Sequence, residues 1–254
     1  MEEEKNKQLF GLLGKNISYS FSRGYFAKKF KEEAIRNCEY VNFDIASIDD
    51  FSVLIKKNSP QLKGLNVTIP YKEEIIPFLD KIDKKVKKIG AVNTIKITKR
   101  GELKGFNTDV YGFEKSLEPL LKQHHKKALI LGTGGASKAV TFALKKLGIK
   151  YKLVSRNPQK KREISYQELS KKIIQKNLLI INCTPLGTHP NIDLFPNIPY
   201  QFITKNHLLY DLIYNPNETI FLSKGKEKEA TIKNGLEMLA LQAEKSWKIW
   251  NSNK

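Results

Sequence analysis

Cysteine is nearly absent from this chain. Its 254 residues include only Cys38 and Cys183, far apart and in no C-x-x-C pair. That excludes a disulfide framework and fits a reducing, cytoplasmic setting. Histidine is almost as scarce: His124, His125, His189 and His207 form neither H-x-x-x-H nor H-E-x-x-H. The sequence therefore offers no metal site. No run approaches the roughly 18 uninterrupted apolar residues of a membrane span, so no membrane association is expected. The leading MEEEKNKQ is acidic and polar, unlike a signal peptide. Arginine is also rare, five among 45 basic residues. Base-edge reading favours arginine's bidentate fork, so a nucleic-acid partner gains little support despite a net charge of +19. The lysine excess reads as a solvated surface whose field speeds capture of anionic small molecules.

What is present is a globular pattern with 40% apolar residues and no repeats. Strands are expected at LFGLLG (9–14), EYVNFDIA (39–46), LNVTI (65–69, stopped by Pro70), AVNTIKIT (91–98) and ELKGFN (102–107), the last two joined by a KRG turn. Further strands follow at ALILG (128–132), KLVS (152–155), residues 179–183 and HLLYDLIY (207–214). Helices are expected after Ser22, over DDFSVLIKKN, over YKEEIIPFLD, from Asp109 to about Leu121, after the glycines at 132–135, and over NGLEMLALQAEKSWKIW. Gly148 suits the C-cap of the helix after the glycines. The alternation of strand and helix gives two α/β domains with a cleft between them as the default site. The boundaries read as residues 1–104, 105–234 and a C-terminal helix, 235–254, returning to the first domain.

In ALILGTGGASKAV, Gly132, Gly134 and Gly135 stand between a buried strand and a small-residue helix. Glycine there permits a tight turn and close approach of a diphosphate to backbone N–H groups, with the helix N-terminus favouring the anion. The pattern is G-x-G-G-A rather than the full G-x-G-x-x-G, and a merely structural turn is the competing reading. The end of the next strand separates cofactors. NAD sites usually carry an acid there for the ribose hydroxyls. Here KLVSRNPQKKR has no carboxylate before Glu163. Arg156, directly after the strand, suits a 2′-phosphate, and Lys160 adds charge. NADP(H) is the expected cofactor.

Seven stretches in order resemble the shikimate dehydrogenase family along nearly the whole chain: NVTIPYK (66–72), GAVNT (90–94), GFNTD (105–109), LGTGGASKA (131–139), NCTPLGT (182–188), DLIYNP (211–216) and NGLEMLALQA (234–243). The resemblance implies a substrate-binding domain with a mostly parallel mixed sheet and a Rossmann-like NADP-binding domain. It implies reduction of 3-dehydroshikimate by NADPH on the way to chorismate and aromatic amino acids, in a monomer or homodimer. It implies that Lys72 and Asp109 are the catalytic pair. Ser20, Ser22, Asn66, Thr68, Asn93, Tyr214 and Gln242 would meet the substrate. Gly132, Thr133, Gly134, Gly135, Ala136, Ser155, Arg156, Lys160, Thr184, Leu212 and Gly235 would meet the cofactor.

The chemistry suits these residue types. Hydride addition to a ketone builds negative charge on oxygen, which a positioned ammonium stabilises while delivering a proton. A nearby carboxylate orients that ammonium, and the two titrate as a unit. Asn66 and Asn93 offer donor and acceptor together for ring hydroxyls. Taken singly, Lys72 also reads as a solvated helix residue, Asp109 and Ser22 as N-caps, and Asn93 as a turn residue.

The first family motif is the weak one. Against G-x-P-x-x-H-S-x-S-P-x-x-H-N, the chain has GKNISYSFSRGYFA. Asn16 stands for proline, Tyr19 for histidine, Arg23 for the second proline, and Phe26–Ala27 for His–Asn. Asn157 and Pro185 depart at the cofactor loops. Two other readings stay open: a quinate/shikimate dehydrogenase with broader substrate or NAD use, and a non-catalytic binding or regulatory protein on the same fold.

Overall fold

The computed structural model describes residues 7–18 and 20–252, so the departure at Tyr19 lies outside the described residues. The chain divides into two compact units. One takes the described residues up to Thr108 together with those from Ala243 on; the other is Asp109–Gln242. The described residues form two six-stranded sheets, one in each unit.

The first unit contains β1 (Gln8–Gly14), α1 (Phe21–Glu32), β2 (Cys38–Asp44), α2 (Phe51–Asn58), β3 (Leu62–Val67), β4 (Lys81–Ile82), α3 (Lys84–Ile89), β5 (Thr94–Ile97) and β6 (Leu103–Phe106). The strand order is β2-β1-β3-β5-β6-β4. β1 runs parallel to β2 and β3, whereas β5 is antiparallel to β3 and β6. Alternation along β1 supplies both faces: Leu9 and Leu13 join a core with Phe51, Leu65, Ile75 and Ile95. Phe10 and Leu12 join an aromatic core with Phe26, Phe30, Tyr40 and Trp250. The expected hairpin at KRG is present, with Gly101 at φ 82.

Two expectations change here. The stretch YKEEIIPFLD is not an α-helix but a run of turns ending in a 3-10 helix, Ile76–Phe78. Pro77 has no N–H to donate and disfavours helical geometry at the residue before it. β3 ends at Val67, before Pro70, although the Thr68 N–H still donates to the Leu13 carbonyl of β1 at 2.9 Å. The helix α3 went unread. Its apolar stripe is only Val86 and Ile89 among lysines, and its signal is the Asp83 cap and Gly90 at φ 72.

The second unit contains α4 (Asp109–Leu117), β7 (Lys127–Leu131), α5 (Gly135–Lys146), β8 (Lys150–Ser155), β9 (Glu163–Ser165), α6 (Lys171–Lys176), β10 (Leu179–Asn182), β11 (Leu208–Asp211), α7 (Ile220–Lys226) and β12 (Thr231–Lys233). Its sheet is wholly parallel, in the order β12-β11-β10-β7-β8-β9. In order of appearance within the unit this is 6-5-4-1-2-3, the doubly wound arrangement. Ala128 to Leu131 and Leu179 to Ile181 are fully buried, as expected of strands covered on both faces. Edge strands β9 and β12 have three residues each, too short to show a period. The last helix, α8 (Leu236–Trp250), contains the unit boundary, after Gln242.

Candidate functional site

In the first unit the site residues grow from the ends of β3 and β5. Lys72 is half-buried, and its carbonyl accepts the Val92 N–H at 2.7 Å. That bond fixes the lysine's backbone next to Asn93. The Asn93 side chain is buried and spans the gap to Thr108: its Oδ1 accepts the Thr108 N–H at 2.7 Å, and its Nδ2 donates to Thr108 Oγ1 at 2.9 Å. Asn93 is therefore no simple turn residue. It holds the backbone one step before Asp109, which is 7% exposed. Asp109 is the first residue of α4 rather than the N-cap before it.

Beneath these groups lies a closed polar network. Asn66 Oδ1 accepts from the Tyr40 hydroxyl at 2.9 Å, and its Nδ2 donates to Ser246 Oγ at 2.9 Å and Thr94 Oγ1 at 3.3 Å. Thr94, Thr108 and Ser246 are in mutual hydroxyl contact at 2.8–3.1 Å. Asn66 is 3% exposed, and its amide is engaged with protein partners. Thr68 stands half-buried past the end of β3. Gly14 is bare where a Cβ would come within 2.6 Å of both Thr68 Cγ2 and Ile17 Cγ2, so only glycine lets the serine loop close there.

Of the two serines, Ser20 caps α1 and its Oγ accepts the Ser22 N–H at 3.2 Å. The helix thus starts two residues earlier than the sequence suggests, and Ser22 is not the cap. Ser22 is buried, beside the Tyr40 hydroxyl. Burial pushes the Tyr40 hydroxyl well above its ordinary pKa, so it stays a donor. Phe26, which stands for the family histidine, is fully buried and stacks on Tyr40 with ring centroids 4.5 Å apart. Arg23 and Ala27 are exposed on α1.

In the second unit, Asp109 opens α4 and Gln242 lies on α8, 6% exposed, with its Nε2 donating to the Leu239 carbonyl at 3.0 Å. Gly112 lets these helices touch, since a Cβ there would collide with the Met238 carbonyl and stand 3.1 Å from Gln242 Cβ. The glycine-rich turn follows β7. Gly132 has φ 101, which L side chains rarely adopt, and it abuts Cys183 and Thr184 beyond β10. Gly134 is the N-cap of the 12-residue α5, and a Cβ there would meet nothing within 4 Å. Packing does not require that glycine, and its absent side chain leaves the helix N-terminus uncovered. Gly135 and Ala136 open the helix; Thr133 is exposed. Ser155 ends β8 with Arg156 and Lys160 exposed after it. Glu163, the first carboxylate beyond, accepts the Gln159 N–H at 2.7 Å and so ties down its own loop. Gly235 passes so close to Leu212 that a Cβ would collide with the Leu212 carbonyl. Tyr214 is half-buried just past β11.

Two residues within the quoted motifs carry roles the sequence reading missed. Asn182 Oδ1 accepts the Thr184 N–H at 3.0 Å and hydroxyl at 2.6 Å, and its Nδ2 donates to Asp211 Oδ1 at 3.0 Å. Asp211 also accepts the Ile213 N–H at 3.0 Å and the Thr219 hydroxyl at 2.7 Å. Burial pushes its carboxyl up to about 6, against the pull of those three donors. Together they join the loops after β10 and β11 to the start of α7. Tyr40 and Ser246 were missed for a different reason: each lies in an element of mixed composition where nothing local marks it out. Among the described residues no cluster of histidine, cysteine or carboxylate could hold a metal, and no helix is long and apolar enough to cross a membrane.

The family model for the shikimate dehydrogenase substrate-binding domain matches residues 12–95. A shikimate dehydrogenase (NADP(+)) from Methanococcus maripaludis is 38% identical over 272 residues, covering 100% of this chain and 95% of the relative. The chain belongs to the shikimate dehydrogenase family. Its fold agrees with that of the shikimate dehydrogenase from Aquifex aeolicus at TM-score 0.86 and 36% identity, covering 96% of this chain and 92% of the other. A Thermus thermophilus structure of the family, in complex with NADP(H) and shikimate, superimposes at TM-score 0.85 with 28% identity, covering 96% of this chain and 93% of that one. The family's two α/β architectures, one mixed sheet and one parallel Rossmann sheet, are those described above. The family is one of oxidoreductases.

Proposed function

We propose that this protein interconverts 3-dehydroshikimate and shikimate by hydride exchange with NADP(H). The observation that carries the reading is the assembly around Asn93. Its backbone neighbour Val92 holds the Lys72 carbonyl at 2.7 Å, and its side chain holds Thr108, one residue before Asp109. The stretches of Lys72 and Thr108, distant in sequence, are thereby anchored to the adjacent pair Val92 and Asn93, and all three stretches carry groups that ketone reduction needs. Lys72 supplies the ammonium that stabilises charge on the carbonyl oxygen and passes it a proton. Asp109 orients that ammonium. Asn93, Thr68 and Gln242 meet the ring hydroxyls, and Ser20 and Ser22 take the carboxylate. Asn66 acts through the others by fixing the polar network beneath them.

The residues of the second unit fit a dinucleotide. NADP(H) supplies the hydride. Gly132, Thr133, Gly134, Gly135 and Ala136 would carry its diphosphate at the start of α5. Arg156, with Lys160 and Ser155, would take a 2′-phosphate, and the acid that would favour NAD is occupied within its own loop. Thr184, Leu212 and Gly235 would border the nicotinamide. The relatives named for NADP(+) support the same choice. Purified protein should form NADPH from NADP⁺ only when shikimate is present. Absence of turnover with shikimate across both NADP⁺ and NAD⁺ would reject the reading, and preference for quinate would move it to the broader dehydrogenases.

A further inference from the structure

We infer that β2 is the scaffold of the carboxylate loop, with Tyr40, Asn42 and Asp44 as positioning residues for Ser20 and Ser22. The inference rests on the reading of those serines given above. The three residues alternate along the strand and so share one face. Asp44 and Asn42 bond the start of the loop, and Tyr40 bonds the polar network beneath it. Asp44 takes the Asn16 N–H on Oδ1 at 2.9 Å and the Ile17 N–H on Oδ2 at 3.0 Å. Asn42 Nδ2 donates to the Ile17 carbonyl at 2.9 Å. The Tyr40 hydroxyl, beside the buried Ser22, donates to Asn66 Oδ1 at 2.9 Å and so joins the strand to the network beneath Asn93.

Of the four departures from the first family motif among the described residues, two, at Asn16 and Phe26, lean on that strand. Asn16 stands where the family has proline, and it adopts φ 56. Proline has no N–H and is held near φ −65°, so neither the Asp44 bond nor this backbone shape is open to it. Phe26 stands where the family has histidine, and it stacks on Tyr40. The chain has exchanged a loop stiffened by its own proline for one held from the neighbouring strand.

Steady-state kinetics on the purified enzyme test this. Asp44→Ala should raise KM for shikimate about 10-fold, the scale of losing charge-assisted hydrogen bonds, with kcat and KM for NADP⁺ within about twofold. Asp44→Asn should recover part of the loss. Asn16→Pro should raise KM similarly although it restores the family residue, whereas Asn16→Gly should not. Tyr40→Phe should raise it about fivefold. Unchanged KM for shikimate in both Asp44→Ala and Asn16→Pro, or an equal rise in KM for NADP⁺, overturns the inference. Hydrogen exchange separates its failure from that of the functional reading, because it needs no turnover. The Asn16 and Ile17 amides should be protected in the wild type and released in Asp44→Ala; fast exchange in the wild type overturns the scaffold whatever the enzyme's substrate.

Discussion

The polar ends of the two sheets are built from different materials. In the first unit the face at β3 and β5 is made of side chains. Asn66, Asn93, Thr94, Thr108 and Ser246 are all buried, and each hydrogen-bonds another of the set. In the second unit the face at β7 and β10 is made of backbone: glycines at 132, 134 and 235, steadied from below by Asn182 and Asp211. A ring bearing several hydroxyls needs donors and acceptors at set positions, which side chains provide. A diphosphate needs close approach and a positive field, which bare backbone at a helix start provides. The two faces should therefore fail differently, the first when a side chain is removed and the second when one is added.

The sharpest break is at Lys72. Lys72→Ala should lower kcat by about 10³-fold, within the range for loss of a positioned acid and its charge. Binding of NADP⁺, followed by fluorescence, should stay within about twofold, because the lysine belongs to the side-chain face. Equal loss of cofactor binding would show that the faces are not separate in function. Next come paired changes of opposite kind. Asn66→Ala leaves Tyr40, Ser246 and Thr94 each short of a partner, and should cost about 3 kcal/mol of stability in denaturant unfolding. Gly235→Ala drives a methyl into the Leu212 backbone and should cost a similar amount. Their kinetic signatures should differ: KM for shikimate rises in the first, and KM for NADP⁺ in the second.

Asp211 gives a smaller effect with a definite sign. Its folded carboxyl is pushed up to about 6, above the ordinary value of 3.8, because burial outweighs its donors. The folded state then binds the proton more tightly, so this group's contribution to stability is greatest below pH 4. It falls as pH rises from about 4 to about 6, by at most about 3 kcal/mol, and is flat above. Carbon-detected NMR should find the midpoint near 6. Asp211→Asn should remove that slope from the difference in unfolding free energy between the two proteins. A midpoint near 4 would mean that the hydrogen bonds fully offset burial.

The centre of the parallel sheet was legible because β7 and β10 are apolar runs, and β7 is followed by glycines and a stripe of small residues at 132–140. The site residues were legible as motifs, not as physics. Lys72 is one lysine among many, and only its place in an ordered set of stretches distinguished it. The polar network was not legible. Tyr40 looks like an ordinary strand residue and Ser246 an ordinary helix residue, and their meaning comes from contacts that span 26 and 180 positions to Asn66. YKEEIIPFLD misled because a charged, apolar-spaced segment satisfies helical periodicity even where Pro77 limits it to one tight turn.

Arg156 offers the mildest test, and it sharpens the contrast from the other side. It is an exposed side chain on the face otherwise made of backbone, so it should act on affinity alone. No carboxylate competes with it, since the nearest in sequence, Glu163, is held by the Gln159 N–H. Arg156→Ala should raise KM for NADP⁺ about 10-fold and leave KM for NAD⁺ and kcat nearly unchanged, as expected when a partly solvated charge pair to one phosphate is lost. The wild-type preference should also shrink as ionic strength rises, because an exposed pair is screened within about 10 Å at 0.1 M salt. If Arg156→Ala weakens both cofactors alike, the arginine shapes the turn after β8 rather than reading the 2′-phosphate, and cofactor choice belongs to the glycine face itself.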